Sequence, residues 1–233
     1  MLSGWRATAM TSRLIELSHV VESGMTTHPG IPAPTISTFL SHEASAERYA
    51  PGTTFEIARI DMVANTGTYV DTPAHRYPGG EDLSEVSLER LVDLDGVVVD
   101  CRGRPVSDID AAALGGVRVA GRAVLVLTGW DVNWGSPAYL AGNPYLTQDA
   151  CRWLVEEGAA LVGIDSLNVD SIADPRRPAH TILLAAGVPV VEHLTGLSAL
   201  PSDGFRFFAA PPRVRGMATF PVRAFGLVPA ADG

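Results

Sequence analysis

The sequence predicts a single α/β domain over residues 1–233, with a mixed β-sheet core flanked by helices. The first eighty residues are rich in proline, glycine and threonine and alternate polar with apolar residues, as half-buried strands do. Further along, short apolar runs alternate with helical segments, which is typical of a sheet that contains parallel strands. The chain shows no internal repeat and no interdomain linker.

The strands are predicted from runs of apolar residues. A half-buried strand is expected over residues 54–62, where Phe55, Ile57, Ile60 and Met62 alternate with polar residues. Further strands are predicted over residues 96–100, 122–128 and 159–165, the last of them buried and ending in an acid. The final strand is predicted over residues 217–227 and is interrupted at Pro221, which indicates an edge or a bulge.

One helix is well specified, over residues 147–157. Thr147 can cap its N-terminus, Asp149 complements the helix dipole in the first turn, and Gly158 suits the left-handed position after the last turn. A second helix is predicted over residues 84–92 and a short one over residues 181–186.

Composition excludes several functions. The net charge of −9 argues against a nucleic-acid partner. All seventeen cationic residues are arginine, so a Schiff-base lysine and a Walker phosphate loop are excluded. No G-x-G-x-x-G segment follows a strand, so no nucleotide cofactor is expected. The sequence contains no G-x-S-x-G segment, which argues against a serine hydrolase. Two cysteines and only short apolar runs favour a cytoplasmic protein that does not enter a membrane.

The densest chemical signal is the segment Asn65–His75. Gly67 permits a tight turn, and Pro73 stiffens the chain between Asp71 and His75. An acid and a histidine held in this way suit a metal site or an acid–base pair. The alternative is an ordinary turn in which Asp71 caps the next segment and His75 lies on the surface.

A second signal is His180, followed twelve residues later by Glu192. Glu192 ends an apolar run, which places its carboxylate at the buried end of a strand. A buried carboxylate needs a metal, an arginine or a proton, because an isolated buried charge costs several kcal/mol, about 3 to 5 where one partner is removed. A structural salt bridge to an arginine is the alternative.

Together these segments resemble the cyclase family that includes bacterial kynurenine formamidase, isatin hydrolase and enzymes assigned to polyketide ring closure. The resemblance covers most of the chain, and it implies the swivelling β/β/α fold of kynurenine formamidase. Besides the two signals, it includes Leu17-Ser18-His19, Leu127-Thr128-Gly129-Trp130, Gly163-Ile164-Asp165-Ser166 with Val169-Asp170, and Pro221-Val222-Arg223-Ala224.

The resemblance also implies residue roles. The family motif runs H-x-G-T-H-x-D-x-P-x-H, with two leading histidines and the aspartate binding a first metal and the last histidine acting as acid–base catalyst. Asp71, His180 and Glu192 match the ligands of a second metal, and His75 matches the catalyst. The two leading histidines are Asn65 and Tyr69 here. The family's closing Gly-Ser-Pro is changed too, to Thr-Phe-Pro at residues 219–221.

The changed ligands predict at most one divalent metal, zinc or manganese, that is weakly held or absent. The Tyr69 phenol is predicted to assist catalysis by stabilising an enolate or alkoxide. Asn65 and Trp130 are predicted to contact substrate, although packing in the core would explain Trp130 equally well.

Three functions follow from these residues. The first is a ring-closing cyclase that performs acid–base chemistry at a carbonyl of an aromatic or polyketide-like small molecule. The second is a metal-dependent hydrolase of a formamide, cyclic amide or lactone, and the third is a binding protein without activity. The resemblance also implies a homodimer or larger homo-oligomer, in which N-terminal loops complete a neighbour's pocket. The segment 28–34 is rich in proline and glycine, hard to pack into a core, and fits a subunit contact.

Overall fold

The computed structural model describes residues 12–104 and 108–230, and its central feature is a nine-stranded mixed sheet. The strands are β1 (Ser12–Glu16), β2 (Thr35–Leu40), β3 (Ile57–Asp61), β4 (Tyr69–Asp71), β5 (Leu94–Asp100), β6 (Asp108–Ile109), β7 (Ala123–Leu127), β8 (Tyr145–Leu146), β9 (Leu161–Ile164), β10 (Val190–Glu192), β11 (Asp203–Phe208), β12 (Thr219–Pro221) and β13 (Phe225–Pro229). The helices are α1 (His42–Ala46), α2 (Ala111–Leu114), α3 (Gln148–Glu156) and α4 (Pro178–Ala185), with 3₁₀ turns at Pro73–His75, Leu88–Arg90, Trp130–Asn133, Pro137–Leu140 and Leu197–Ala199.

The middle of the sheet is parallel and buried on both faces. Four strands pair here in the order β5, β7, β9 and β10, and each runs parallel to its neighbour. One core cluster packs against α2, α3 and α4, and a second covers the opposite face. Continuous apolar runs such as Ala123–Leu127 suit this position, because neither face of the strand meets water.

One edge of the sheet brings the chemically interesting residues together. Strand β4 pairs antiparallel with β10 on one side and with β12 on the other. The register places Tyr69 opposite Glu192 and Asp71 opposite Thr219. Three short strands from distant parts of the sequence therefore converge on one place.

The strand expected over residues 54–62 is shorter and lies elsewhere than predicted. Strand β3 pairs only with β2, in a separate two-stranded ribbon, and all five of its residues are exposed. The prediction of a half-buried strand is therefore wrong, because alternation of polar and apolar residues does not show that a core lies beneath the strand. The predicted strands over residues 96–100, 122–128 and 159–165 are confirmed as β5, β7 and β9.

The helix predictions have mixed outcomes. Helix α3 is confirmed with its cap, since the Thr147 hydroxyl accepts the amide of Ala150 and Gly158 has a φ of +79°. The helix predicted over residues 84–92 is wrong, and only the 3₁₀ turn Leu88–Arg90 forms there. The Asp82 carboxylate accepts both the amide and the hydroxyl of Ser84, a local bond that competes with a helical first turn.

The short helix expected over residues 181–186 is longer and begins earlier, at Pro178. The last predicted strand is divided in two. Strand β12 lies at the edge beside β4, as Pro221 indicated, whereas β13 pairs with β1 and β11 on the far side of the sheet. No helix within the described ranges is both long and apolar enough to cross a bilayer.

Candidate active site

A cavity of about 290 Å³ opens where β4, β10 and the start of α4 meet. Its walls include most of the residues predicted from the sequence. These are Asn65, Tyr69, His75, His180 and Glu192, and Asn168, which was not predicted, lines the cavity with them. The two separate sequence signals therefore belong to one site.

Asp71 lies at the centre of this site and is fully buried. Its Oδ1 accepts a hydrogen bond of 2.5 Å from the Thr219 hydroxyl. Its Oδ2 has no hydrogen-bond partner among the described residues and lies 3.5 Å from Nε2 of His180. Burial acts to raise the pKa of Asp71, but the neighbouring His180 and His75 and the Thr219 hydroxyl outweigh it and lower that pKa.

His180 is buried among three carboxylates. Its Nδ1 lies 2.6 Å from Oδ2 of Asp170, and its Nε2 lies 3.7 Å from Oε1 of Glu192 as well as close to Asp71. Burial acts to lower the pKa of His180, but Glu192, Asp170 and Asp71 together raise it to about 10. With only protein groups present, the imidazolium supplies the positive charge that these acids require.

Asp170 fixes His180 in place and was given no role from the sequence. Its carboxylate also accepts the backbone amides of Ala179 and His180, at 2.6 and 3.2 Å, in the first turn of α4. One acid thus caps the helix and orients the histidine that the helix carries. Nδ1 of the imidazole faces Asp170, so Nε2 faces Asp71. Metal-binding histidines are commonly oriented in this way, by a carboxylate on the ring nitrogen that does not bind the metal.

Glu192 ends β10 and is buried, as its place in the sequence predicted. Both of its carboxylate oxygens already accept hydrogen bonds. Oε2 accepts the Tyr69 hydroxyl at 2.6 Å and the Asn168 amide at 3.3 Å, and Oε1 accepts the backbone amide of Val169 at 2.6 Å. Its role as a metal ligand stays a prediction.

Tyr69 is buried and directs its hydroxyl to Glu192. Burial, with the charges of Glu192 and Asp71, raises the pKa of the phenol well above its ordinary value. The neighbouring Asn65 side chain acts in the opposite direction and lowers that pKa. The two residues that replace the leading histidines therefore line the cavity together, and Tyr69 is bound to Glu192. Their predicted roles in catalysis and substrate binding stay predictions.

His75 lies at the cavity wall, with 34% of its side chain exposed. Its Nδ1 is 3.0 Å from the Thr219 hydroxyl oxygen and 3.6 Å from Asp71 Oδ1. Because the Thr219 hydroxyl donates to Asp71, its oxygen is left to accept a hydrogen bond from the Nδ1–H group of His75. This arrangement selects the tautomer in which Nε2 carries the free lone pair. Sequence reasoning noted the change at Thr219 but assigned it no role.

Three side chains are placed to hold a metal ion. Asp71, His75 and His180 each offer a ligand atom, and these atoms lie within 4.8 Å of one another. The unpartnered Oδ2 of Asp71 and the Nε2 of His180, 3.5 Å apart, are donors that zinc and manganese accept, and His75 lies beside them. The residues therefore fit a single divalent cation.

Trp130 lies apart from these residues. Its indole N–H donates to the backbone carbonyl of Tyr139 at 3.1 Å, and it is not among the described residues that line the cavity. His28 and Ile31, from the segment expected to reach a neighbour, line the cavity of their own chain.

Comparison with known proteins identifies the family. Residues 15–171, more than half of the chain, match the family described as "Putative cyclase", and the chain belongs to this family. It is similar to the kynurenine formamidase of Erythrobacter litoralis, with 24% identity over 91% of each chain. It is also similar to the isatin hydrolase of Roseibium aggregatum, with 27% identity over 72% of this chain and 73% of the relative.

Solved structures agree with this assignment. Isatin hydrolase A from Ralstonia solanacearum superposes with a TM-score of 0.79 at 26% identity, covering 93% of this chain and 92% of that one. A structure described as a potential metal-dependent hydrolase with cyclase activity superposes with a TM-score of 0.75 at 24% identity, covering 93% and 98%. The single-domain α/β fold is confirmed. The protein is an enzyme of the kynurenine formamidase-like group, and its relatives support hydrolysis better than ring closure.

Proposed function

We propose that this protein is a metal-dependent hydrolase of a formamide, cyclic amide or lactone. The observation that carries the proposal is the group formed by Asp71, His75 and His180 at the cavity, whose ligand atoms lie within 4.8 Å of one another. The names of the similar proteins, kynurenine formamidase and isatin hydrolase, support the same reaction type.

Asp71 and His180 are the ligands that we assign to one divalent cation, zinc or manganese. When bound, such a cation polarises a carbonyl and lowers the pKa of adjacent water to about 7. His180 is aligned for this role by Asp170, which holds the opposite nitrogen of its ring. Two firm ligands predict weak retention of the cation.

His75 is assigned to proton transfer. Its Nδ1 donates to Thr219, so the lone pair of Nε2 is free to take a proton from water as the water oxygen attacks the carbonyl carbon. The same nitrogen then returns the proton to the leaving nitrogen or oxygen as its bond to the carbonyl carbon breaks. The products are a carboxylic acid and an amine or alcohol, joined in one molecule when the substrate is cyclic.

The proposal is tested by following hydrolysis of formanilide and dihydrocoumarin. Activity is expected with added zinc or manganese, should be lost after chelation and should return when metal is restored. Brisk hydrolysis that survives thorough chelation would contradict the metal requirement. Failure to hydrolyse either compound, in a protein that cyclises a polyketide-like carbonyl compound, would favour the ring-closing cyclase instead.

We further propose that the protein acts on a small molecule and assembles as a homodimer or larger homo-oligomer. The ribbon of β2 and β3 supports this, because Ile36, Phe39, Ile57 and Ile60 are 45% to 74% exposed on it. Exposed apolar residues grouped in this way are typical of an interface. Light scattering should give at least twice the mass of one chain, and the mass of a single chain at micromolar concentration would contradict the proposal.

A further inference from the structure

Two arginines line the cavity beside the histidines of the site. Arg76 directly follows His75 in the sequence, and Arg177 precedes His180 by three residues. Within the described ranges, no ion pair involves either guanidinium, although six other arginines form one. Both guanidinium groups therefore line the cavity outside any described ion pair, and the charge of Arg177 also acts on Asp174, the partner of Arg176.

Arg177 is held in an uncommon backbone conformation. Its φ of 50° and ψ of 60° are left-handed, a region that side chains other than glycine rarely adopt. Such positions persist where the surrounding structure fixes them, and they cluster at binding and catalytic sites. Here the Nη1 atom donates to Oδ1 of Asn168 at 3.2 Å, which fixes the guanidinium beside the cavity.

The preceding residue shows the contrast. Arg176 has 81% of its side chain exposed and forms a bidentate ion pair with Asp174, with nitrogen–oxygen distances of 2.9 and 2.8 Å. Arg176 is therefore satisfied at the surface, whereas Arg177 is turned to the cavity. The adjacent pair provides a test residue and a matched control.

Arg76 completes the arrangement from the other side. Its Nε donates to the hydroxyl of Thr181 at 3.2 Å, which ties it to the first turns of α4. Only one guanidinium nitrogen of each arginine is engaged by the hydrogen bonds described, and a guanidinium carries five N–H donors in a planar fork. That fork matches the two oxygens of a carboxylate.

From this placement we propose that Arg177 and Arg76 bind a carboxylate group of the substrate, so that the substrate is a small organic acid carrying the amide or ester bond to be broken. The inference rests on the proposed function, whose centre already contains the carboxylates of Asp71 and Glu192. An anionic substrate entering such a centre needs positive charge at its wall, and these two arginines supply it.

The binding part of the test requires no turnover. Benzoate and its neutral counterpart benzamide are titrated into the full chain by calorimetry, with and without zinc. We expect benzoate to bind tighter than benzamide. Arg177→Gln should weaken benzoate about tenfold or more, as loss of a charge-assisted hydrogen bond does, and leave benzamide unchanged. Arg176→Gln should change neither affinity, and circular dichroism verifies that each variant is folded.

The turnover part separates a carboxylate of the substrate from the one that hydrolysis creates. 2-Formamidobenzoate carries a carboxylate before the reaction, and formanilide does not. Arg177→Gln should raise KM about tenfold for the first compound and leave KM unchanged for the second. Equal effects on both compounds would show that Arg177 does not recognise a substrate carboxylate, and the proposal would be wrong.

Three binding results would also overturn the proposal. They are no benzoate binding at millimolar concentration, equal affinity for benzoate and benzamide, and equal weakening by Arg176→Gln and Arg177→Gln. Equal weakening would show that benzoate affinity depends on the overall positive charge of the protein and not on the position of Arg177. If benzoate binding depends on Arg177 but neither formamide is hydrolysed, the carboxylate-binding role of Arg177 is supported and the proposed hydrolase function is wrong. The two failures are therefore distinguishable.

Discussion

The two sides of Asp71 differ in what their side chains are free to do. On one side, called here the histidine side, His75 and His180 direct ring nitrogens toward Asp71 and the cavity. On the other, called here the tyrosine side, Asn65 and Tyr69 line the cavity and the Tyr69 hydroxyl donates a hydrogen bond to Glu192. The histidine side can bind a cation and move protons, whereas the tyrosine side is closed by its own hydrogen bonds.

The resemblance to the family implies a two-metal arrangement, and this difference between the two sides predicts how that arrangement is changed here. A phenol donates a hydrogen bond to the carboxylate, where an imidazole would present a lone pair to a metal. The Tyr69 hydroxyl thus satisfies Glu192 from within the protein, at 2.6 Å. The expected result is a one-cation site on the histidine side, next to a rigid wall on the tyrosine side.

The largest effect is expected on the histidine side. His75→Ala should lower kcat for the hydrolysed substrate by about 10² to 10⁴, the range for loss of a positioned acid–base group. The fold should persist, because the side chain is exposed to the cavity and not packed in a core. His42→Ala, at an exposed histidine of α1, is the matched control and should keep full activity. Near-normal kcat in His75→Ala would remove His75 from the mechanism.

A smaller effect is expected from Thr219, which positions His75 without touching the substrate. Thr219→Val removes the hydroxyl that joins His75 to Asp71 and should lower kcat by about tenfold, the value of one net hydrogen bond of about 1.4 kcal/mol. Thr219→Ser keeps the hydroxyl and should restore most of the rate. If valine and serine behave alike in a kcat measurement, the hydrogen bonds of Thr219 do not orient His75.

The tyrosine side is expected to affect stability more than rate. Tyr69→Phe deprives the buried Glu192 of a donor and should lower the free energy of unfolding by about 1 to 3 kcal/mol in chelator-treated protein. Tyr49→Phe, at an exposed tyrosine, should change it by less than about 0.5 kcal/mol. Urea denaturation measures both. An unchanged midpoint for Tyr69→Phe would show that the tyrosine side is not held by this bond.

The smallest effect concerns His19, which lies outside both sides and serves as a reference. Burial lowers its pKa from 6.5 to about 4, against the charge of Asp131, which raises it. The unfolded chain therefore binds a proton at higher pH than the folded one, so stability is full above pH 6.5 and falls as the pH drops toward 4.

The loss from His19 is at most about 1.4 kcal/mol per pH unit, and solvent screening reduces it because the ring is only partly buried. His19→Phe keeps an aromatic ring to stack on Trp134, 3.9 Å away, and should flatten the dependence of unfolding free energy on pH between 6.5 and 4. Urea denaturation at several pH values measures this slope. An unchanged slope would show that His19 does not titrate as its burial requires.

The sequence predicts those elements whose cause is local. Helix α3 could be placed because its cap and its terminal glycine are adjacent in the chain. The strands of the parallel core could be placed because burial on both faces requires unbroken apolar runs. The half-buried strand over residues 54–62 could not be predicted correctly, because its exposure depends on where the β2–β3 ribbon lies relative to the sheet.

The same limit applies to the site. Asp71, His75, His180 and Glu192 could be chosen from residue type and motif, and the structure places them around one cavity. The roles of Asp170 and Thr219 could not be derived, because they depend on contacts made across the fold. The Thr219 contact joins residues 148 positions apart, and nothing next to Thr219 in the sequence indicates it.

The most direct test of the difference between the two sides is a count of bound metal. Protein loaded with excess zinc or manganese, then gel-filtered without chelator, should retain no more than one ion per chain by elemental analysis. Asn65→His with Tyr69→His should retain two, because it restores nitrogen ligands on the tyrosine side and releases Glu192. Asp71→Asn should retain none. Two tightly held ions in the native chain would contradict the account, because the tyrosine side would then bind a metal after all.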